Sequence, residues 1–188
     1  MTGSHLNIQT RLISMRPVLR SDAKLIYDLR HSKRGSWLKP TSTDIRDQEK
    51  YLENYQIRFE GRDEVYYVIK DLRQGSDVGV TRITNLNEPN TFGWEGLIIA
   101  EEASPGVAID LVFSVYKIGF MLLGKKICGP WGVRKDSSRV DRLHQVMNIA
   151  EKVSEDNEYW FYHVTIDSFL RSQKYFESRG FGNFVDQL

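Results

Sequence analysis

Cysteine is almost absent from this chain of 188 residues. The single cysteine, Cys128, cannot form a disulfide within the chain, and it has no partners at the spacing of a metal site. A disulfide scaffold and a cysteine-based zinc centre are therefore excluded, and a reducing cytoplasm is the expected location. We predict no metal among the cofactors.

Long hydrophobic runs and an excess of charge of one sign are also missing. No run reaches about 18 apolar residues, which is the length that a membrane-spanning helix needs, and no N-terminal stretch resembles a signal peptide. The 26 basic and 25 acidic residues leave a net charge of +1, whereas a protein that grips phosphate backbones is usually strongly basic. We therefore expect neither a nucleic-acid partner nor membrane insertion.

The residues that are present predict one globular domain over 1–188. Apolar residues make up 40% and charged residues 27%, and the length suits a single core. Periodicity and capping residues predict strands over 10–18, 64–72, 78–84, 91–100, 126–133, 148–153 and 159–166. They predict helices over 23–31, from a cap at 43 or 44 to 60, over 107–123, from a cap at 136–138 to 146, and from a cap at 167 or 168 to 178. Strands outnumber crossover helices, so the expected class is α+β with a mixed sheet, and not a doubly wound parallel fold.

One strand-turn-helix unit has the form of an anion-binding loop. The segment Ala103-Ser104-Pro105-Gly106-Val107-Ala108 follows the strand over 91–100 and opens an apolar helix. Main-chain N–H groups at such a helix start can hold phosphate oxygens. The Gly-Lys-Ser/Thr ending of nucleotide-hydrolysing loops is lacking. Because most strand-turn-helix units bind nothing, a purely structural role stays open on this segment alone.

Two signatures in this order of elements resemble the GNAT superfamily, the Gcn5-related N-acetyltransferases, over residues 10–170. The superfamily's phosphate loop reads Gln/Arg-x-x-Gly-x-Gly/Ala; Gly106 and Ala108 fit it, whereas Ala103 replaces Gln or Arg. In the helix after the next strand, Ser137 and His144 stand where the superfamily usually has Asn and Tyr. The segment 159–164 is similar to the ending of amino-sugar N-acyltransferases. Glu95 stands where those enzymes often have the glutamate of a Glu-Phe-Gly sequence.

The resemblance implies a central, mostly antiparallel sheet of about seven strands, flanked by helices and splayed between its fourth and fifth strands. It implies acetyl-CoA or another short acyl-CoA as cosubstrate. Main-chain groups at a splayed strand edge suit the peptide-like pantetheine arm, and the helix start suits the pyrophosphate. The predicted CoA-binding residues are Ile98, Ile99, Ala100, Ser104, Gly106, Val107, Ala108 and Ser137.

Acyl transfer to an amine needs a base for the amine proton and benefits from an acid for the leaving thiolate. Glu95 is the predicted base, with a surface ion pair as the alternative. His144 is the predicted acid, with a helix histidine bonded to a carbonyl as the alternative. The residues predicted to frame the acceptor are Arg30, His31, Trp37 and His163. Helix capping is the alternative for His31, and a sheet-face position is the alternative for His163.

The predicted function is N-acyl transfer to the primary amine of a small acceptor, with a nucleotide-linked amino sugar favoured. One alternative is a protein N-terminus or an antibiotic amine, which a strongly acidic acceptor cleft would indicate. Another is a non-catalytic module that binds acyl-CoA. A homodimer is compatible with the resemblance. A second register, with Tyr175 as the acid and the phosphate loop over 134–139, is disfavoured because seven residues after Phe181 are too few for two more strands.

Overall fold

Eight strands and four α-helices make up the part of the chain described by the structure, a computed structural model that covers residues 7–136 and 148–185, with Trp37 described by its backbone alone. The strands are β1 (Ile8–Gln9), β2 (Ile13–Pro17), β3 (Val65–Asp71), β4 (Ser76–Thr84), β5 (Thr91–Ile99), β6 (Ile127–Arg134), β7 (Glu151–Glu155) and β8 (Tyr159–Thr165). The helices are α1 (Ala23–His31), α2 (Ile45–Glu60), α3 (Val107–Lys117) and α4 (Ile166–Glu177). None of these helices is long and apolar enough to cross a bilayer.

The strands form one sheet in the order β1-β2-β3-β4-β5-β6-β8-β7. Neighbouring strands are antiparallel except β5 and β6, which run parallel. The predicted α+β class with a mostly antiparallel sheet is confirmed, with eight strands in place of about seven. The parallel pair joins the fourth and fifth predicted strands, as the favoured register requires.

Local capping residues explain where the helices begin. Helix α2 starts after Asp44, whose carboxylate accepts from the Arg46 N–H at 2.9 Å. Helix α4 begins earlier than predicted because Thr165 and Ser168 form a reciprocal capping box. The helix predicted over 136–146 lies almost wholly outside the described residues.

Strand β7 extends to Glu155, where the sequence predicts a turn. The turn falls instead at Asp156, whose carboxylate accepts from the N–H groups of Glu158 at 2.8 Å and Tyr159 at 2.7 Å. Glu155 is thereby left to pair with Trp160 in β8. The turn residue, and not the hydrophobic pattern, sets the register of this hairpin.

The sheet is covered on both faces, which explains why β3 is apolar at nearly every position. Its residues Val65, Tyr67 and Ile69 belong to the core under α3 and α4. Its alternate residues Tyr66 and Val68 belong to a second core under α1 and α2. Successive side chains of a strand point to opposite faces, so one strand supplies both cores.

A gap opens between β5 and β6 because their pairing stops after two residue pairs, Thr91 with Ile127 and Phe92 with Cys128. Beyond Cys128 the chain enters Gly129, with φ of 106°, and Pro130, and the register of β6 against β8 shifts there. Proline has no N–H to continue a ladder. On the other side, a bulge in the β4–β5 pairing lies between Val80 and Arg82. The two strands therefore diverge, as the resemblance predicted.

A buried carboxylate ties the start of α3 to two distant segments. Asp110 is fully buried, accepts from the Thr10 hydroxyl, and accepts from the Gly182 N–H at 2.6 Å. Burial raises the pKa of Asp110, and the opposing hydrogen bonds from Gly182, Thr10 and Leu12 do not outweigh it. The protonated form is thus favoured in the folded state relative to the unfolded chain.

Asp110 makes stability depend on pH in a defined direction. Because its pKa is raised on folding, its contribution to the free energy of unfolding is present at low pH and is lost as pH rises from the ordinary value through the raised one. The free energy of unfolding of Asp110→Asn, whose side chain cannot ionise, should decline less over that range. Denaturant unfolding of both proteins at several pH values measures this. Parallel curves for the two proteins would contradict the assignment.

Candidate active site

The gap between β5 and β6 holds a cavity of about 430 Å³. One wall is the β5 segment from Gly93 to Leu97, and the other is the β6 segment from Gly129 to Val133. Leu38, from the loop after α1, and Asn85, from the turn after β4, complete the lining. The divergence of the strands therefore creates a cleft of the size that small-molecule sites occupy.

The end of β5 presents main-chain groups to this gap at Ile99. Ile98 lies opposite Val80, and the Ala100 N–H donates to the Val78 carbonyl at 2.7 Å, so both face β4. Successive residues of a strand point their main-chain groups to opposite edges, so those of Ile99 point away from β4. Of Ile98, Ile99 and Ala100, which were predicted to bind CoA, Ile99 is the one whose main chain faces the gap.

A cation from the loop after α1 reaches the same edge. The Arg34 Nη1 donates to the Ile99 carbonyl at 3.1 Å, and its Nε lies 3.9 Å from the Glu101 carboxylate. The Arg34 Nε is buried without a hydrogen-bond partner among the described residues. Arg34 therefore brings positive charge and an unused donor to the open edge of β5.

The predicted phosphate loop has the geometry of a helix start. Gly106 is the N-cap of α3, and its φ of 93° lies in the left-handed region that favours glycine. The Val107 N–H donates to the Ser104 carbonyl at 3.2 Å, and the Asp110 N–H donates to the Gly106 carbonyl at 2.9 Å. In an α-helix the first N–H groups lack acceptors within the helix, which leaves that of Ala108 available.

Asp71, at the end of β3, forms hydrogen bonds that fix this loop, although it was not predicted from the sequence. Its carboxylate accepts from the Ser104 N–H at 2.7 Å and from the Arg73 N–H at 2.9 Å. Burial alone would raise the pKa of Asp71, but these hydrogen bonds and one from Gln74 outweigh it and lower the pKa. The carboxylate therefore stays ionised and fixes the turn that precedes Gly106.

Glu95 lies on the β5 wall of the cavity, and its carboxylate is bound to a single arginine. The Glu95 Oε2 accepts from the Arg82 Nη2 at 2.5 Å, and its side chain is 54% exposed. The Arg82 guanidinium also donates to the Tyr51 hydroxyl and lies 3.6 Å from the Glu64 carboxylate. Glu95 thus lies at the cavity, where a base would have to lie, and it also forms the surface ion pair that was the alternative to that role.

Arg82 is the residue that orients Glu95. Desolvation would lower the pKa of Arg82, but the charges of Tyr51, Glu64 and Glu95 outweigh it and raise the pKa. Its side chain is 23% exposed, so the guanidinium is held in place by several partners and not by solvent. The Glu95 Oε1 has no hydrogen-bond partner in the described part of the chain and is the oxygen left for a ligand.

The residues predicted to frame the acceptor are placed mostly beside the cavity and not in its lining. Arg30 donates to the Lys39 carbonyl at 2.5 Å and so ties down the loop that carries Leu38. The His31 Nδ1 donates to the Tyr27 carbonyl of its own helix at 2.9 Å, and the His31 ring packs on the Tyr27 ring. These positions agree with a structural role for both residues in the folded chain.

His163 lies on β8 opposite Glu151, with its Nε2 3.3 Å from the Glu151 Oε2. Trp37 ends a 3₁₀ turn, Gly35–Trp37, two residues before Lys39. The predicted acid His144 and the predicted CoA contact Ser137 lie outside the described residues, so their roles stay predictions.

Cys128 is fully buried at the base of the gap. Burial raises the pKa of its thiol well above the ordinary value, so the thiolate that a nucleophile requires is disfavoured. Among residues 7–136 and 148–185, no group of three or more His, Cys, Asp or Glu side chains is placed to hold a metal ion. The buried Cys128 thiol is therefore poorly suited to act as a nucleophile.

Two tryptophans among the residues that line the cavity contact each other. Trp94 and Trp131 meet edge to face, with ring centroids 6.3 Å apart, and Trp131 stacks on Tyr162 at 5.4 Å. Trp131 thus packs on Tyr162 and also lines the cavity, a role that was not predicted from the sequence. The signal that was missed is the Gly129-Pro130 pair inside a strand, which marks an irregularity beside a site.

The architecture matches solved structures of GNAT proteins. One described as apo FdhC, a nucleotide-linked sugar GNAT, superposes with a TM-score of 0.80 at 25% identity, covering 94% of this chain and 98% of that one. A GCN5-related N-acetyltransferase from Brucella melitensis gives a TM-score of 0.74 at 12% identity, over 92% and 84% of the two chains. The GNAT resemblance is thus confirmed: the chain has the fold of these acetyltransferases.

A spermidine N-acetyltransferase from Vibrio cholerae, solved in complex with CoA and spermine, is a more distant match. Its TM-score is 0.66 at 16% identity, with 85% of this chain and 98% of that chain covered, so it supports the fold alone. No protein-family model and no curated protein matches the chain.

Proposed function

We propose that the protein transfers an acyl group from acyl-CoA to the primary amine of a small acceptor, with a nucleotide-linked amino sugar as the favoured acceptor. The observation that carries this proposal is the cavity in the gap between β5 and β6, with the α3 helix start at the end of β5. The similarity to a nucleotide-linked sugar GNAT over 94% of the chain supports the choice of acceptor.

The pantetheine arm of the cosubstrate is assigned to the edge of β5. The main-chain groups of Ile99 face the gap and suit pairing with an amide of the arm. The start of α3, at Gly106 and Ala108, suits the pyrophosphate because N–H groups and the helix dipole favour negative charge there. Arg34, at the same edge, adds positive charge for phosphate oxygens.

Glu95 is assigned as the base. The amine nitrogen attacks the thioester carbon, a C–N bond forms, and the amine proton passes to the Glu95 carboxylate directly or through a water molecule. The C–S bond then breaks, and the thiolate takes up a proton, for which His144 is the predicted donor. Arg82 holds Glu95 against the cavity throughout. Transfer is direct, so no acyl group is held on Cys128, which is buried.

The lining of the cavity favours a sugar over a polycationic amine. Among the described residues that line it, Glu95 is the one with a carboxylate, and Arg82 pairs with that charge. A polyamine or a basic peptide would be expected to meet several acidic side chains. Trp131, which is only partly buried, instead offers aromatic surface, and this suits the face of a sugar ring or a base.

A thiol-release assay tests the proposal with several acyl-CoAs against a panel of amino-sugar nucleotides, spermidine and a peptide with a free N-terminus. We expect turnover with an amino-sugar nucleotide and no burst of CoA release without acceptor. Turnover with spermidine or the peptide alone would support the other enzyme class. Stabilisation by acetyl-CoA, by about 2.7 kcal/mol at 100 times its Kd, with no turnover on any amine would support a non-catalytic module.

A further inference from the structure

A second, smaller pocket lies beside Pro105 and shares no lining residue with the cavity between β5 and β6. It has a volume of about 100 Å³, and three arginines from distant parts of the chain line it, together with Leu12, Pro105, Gly180 and Phe181. The arginines are Arg11, in the turn before β2, Arg73, in the turn after β3, and Arg179, just after α4. The tertiary fold alone brings these three side chains together.

These arginines differ from most others in the protein in having no carboxylate partner. Eight arginines of the described chain lie within 4.0 Å of a carboxylate, namely Arg16, Arg20, Arg34, Arg46, Arg58, Arg82, Arg134 and Arg171. Within residues 7–136 and 148–185, no ion pair joins Arg11, Arg73 or Arg179 to an acidic side chain. Three positive charges around one small pocket repel each other unless an anion lies between them.

Two of the guanidinium groups are held in place by neutral contacts. The Arg73 Nη1 donates to the Pro105 carbonyl at 3.3 Å. The Arg179 Nη1 donates to the Tyr175 carbonyl at 3.2 Å, and its guanidinium carbon lies 3.6 Å from the Tyr175 ring centroid. Each arginine has five N–H donors, so most of them remain available. Fixed guanidinium groups of this kind lose little freedom when they bind phosphate oxygens.

The third arginine lies close to the main chain of Gly180. A side-chain carbon at Gly180, whose φ is 84°, would lie 3.6 Å from the Arg11 Nη1, which is an ordinary contact distance. The two buried carboxylates in this region, Asp71 and Asp110, are engaged with N–H and hydroxyl groups inside the fold. Neither of them forms an ion pair with these arginines.

We propose that Arg11, Arg73 and Arg179 form a binding site for one phosphate group beside the Pro105 turn. The pocket is too small for a nucleoside, while its three guanidinium groups match the shape and charge of a tetrahedral oxyanion. Two sources carry this chemistry: the 3′-phosphate of CoA, whose pyrophosphate the proposed function places at the helix start that follows Pro105, and a free phosphate-bearing ligand.

The first test measures binding of inorganic phosphate to the full-length protein, with chloride at equal ionic strength as reference. Phosphate should raise the midpoint of thermal unfolding, and calorimetric titration should give a Kd at least about tenfold higher for Arg73→Gln and for Arg179→Gln. Arg62→Gln, an exposed arginine without a carboxylate partner in the described chain, is the matched control and should bind as the unchanged protein does. Unfolding midpoints in chloride verify that each variant is folded.

The second test compares CoA with dephospho-CoA, which lacks the 3′-phosphate. If the carrier supplies the phosphate group, the unchanged protein binds CoA more tightly, and the difference disappears in Arg73→Gln. If a free ligand supplies it, inorganic phosphate binds, and the two carriers bind equally well. If phosphate binds but neither CoA nor dephospho-CoA does, the proposed acyl transfer is contradicted, whereas the proposed phosphate site is still supported. No phosphate binding and no discrimination between carriers, or unchanged binding in both arginine variants, would overturn the site.

Discussion

Replacement of Gly106 by alanine should weaken the binding of acyl-CoA at least tenfold, which corresponds to about 1.4 kcal/mol. The Gly106 φ of 93° is unfavourable for any residue with a side-chain carbon, at roughly 1–2 kcal/mol. That carbon would also lie 3.1 Å from the Leu12 Cδ1 and 3.2 Å from the Phe181 Cε1, closer than an ordinary contact. Leu12 and Phe181 must give way by a few tenths of an ångström, and the strained φ favours a shift of the turn that would carry the N–H groups at the start of α3 with it.

Gly124→Ala is the matched control for this change. Gly124 has a φ of 67°, so alanine meets a similar conformational strain, but no atom lies within 4 Å of the added carbon. Both variants should lose stability in denaturant unfolding, whereas calorimetric titration with acetyl-CoA should detect weaker binding in Gly106→Ala alone. Equal affinities for the two variants would mean that the start of α3 does not hold the carrier.

Replacement of Glu95 by glutamine should lower kcat at least tenfold, or about 1.4 kcal/mol in activation free energy, with little effect on stability. A glutamine keeps the shape of the side chain but cannot take the amine proton, and general-base catalysis is typically worth at least this much. Little stability is at stake because an ion pair with an exposed carboxylate contributes only about 0–1 kcal/mol. The thiol-release assay over a range of pH measures the effect.

A pH profile distinguishes proton transfer from mere positioning. If Glu95 is the base, the fall of kcat at low pH that reports its ionisation should disappear in Glu95→Gln. Glu53→Gln provides the control, because Glu53 also pairs with one arginine, Arg20, at 2.7 Å, but on an exposed helix face. If Glu95→Gln keeps both the rate and the profile of the unchanged enzyme, the carboxylate serves only its ion pair with Arg82, and solvent handles the proton.

The helices and most strands could be predicted from the sequence because their signals are local. The bounds of α1 were predicted without error, and those of α2 follow from a capping aspartate and an apolar stripe. The errors fell where a turn residue competes with the hydrophobic pattern, as in β7, whose end depends on the turn at Asp156. A capping box likewise moved the start of α4 to Ile166.

The candidate site was only partly predictable, because its parts differ in how local they are. Gly106 and Ala108 could be identified because a helix start is a contiguous motif. Asp71 and Arg82 could not, because their roles depend on strands that lie beside β5 in the fold and not in the chain. The placement of Trp131 depends on the divergence of β6 from β5 at Pro130, which is a property of the paired strands.

The sequence by itself determined the α+β class, the order of the elements, the position of the helix start at Gly106 and the absence of disulfide chemistry. These features depend on residue type, periodicity and spacing, which act over a few turns or strands of the chain. Tertiary structure decided the rest: the width of the gap, the pairing of Glu95 with Arg82, and the meeting of Arg11, Arg73 and Arg179. Such contacts join segments up to 168 positions apart (11 to 179), and only the packing of both sheet faces brings them within reach.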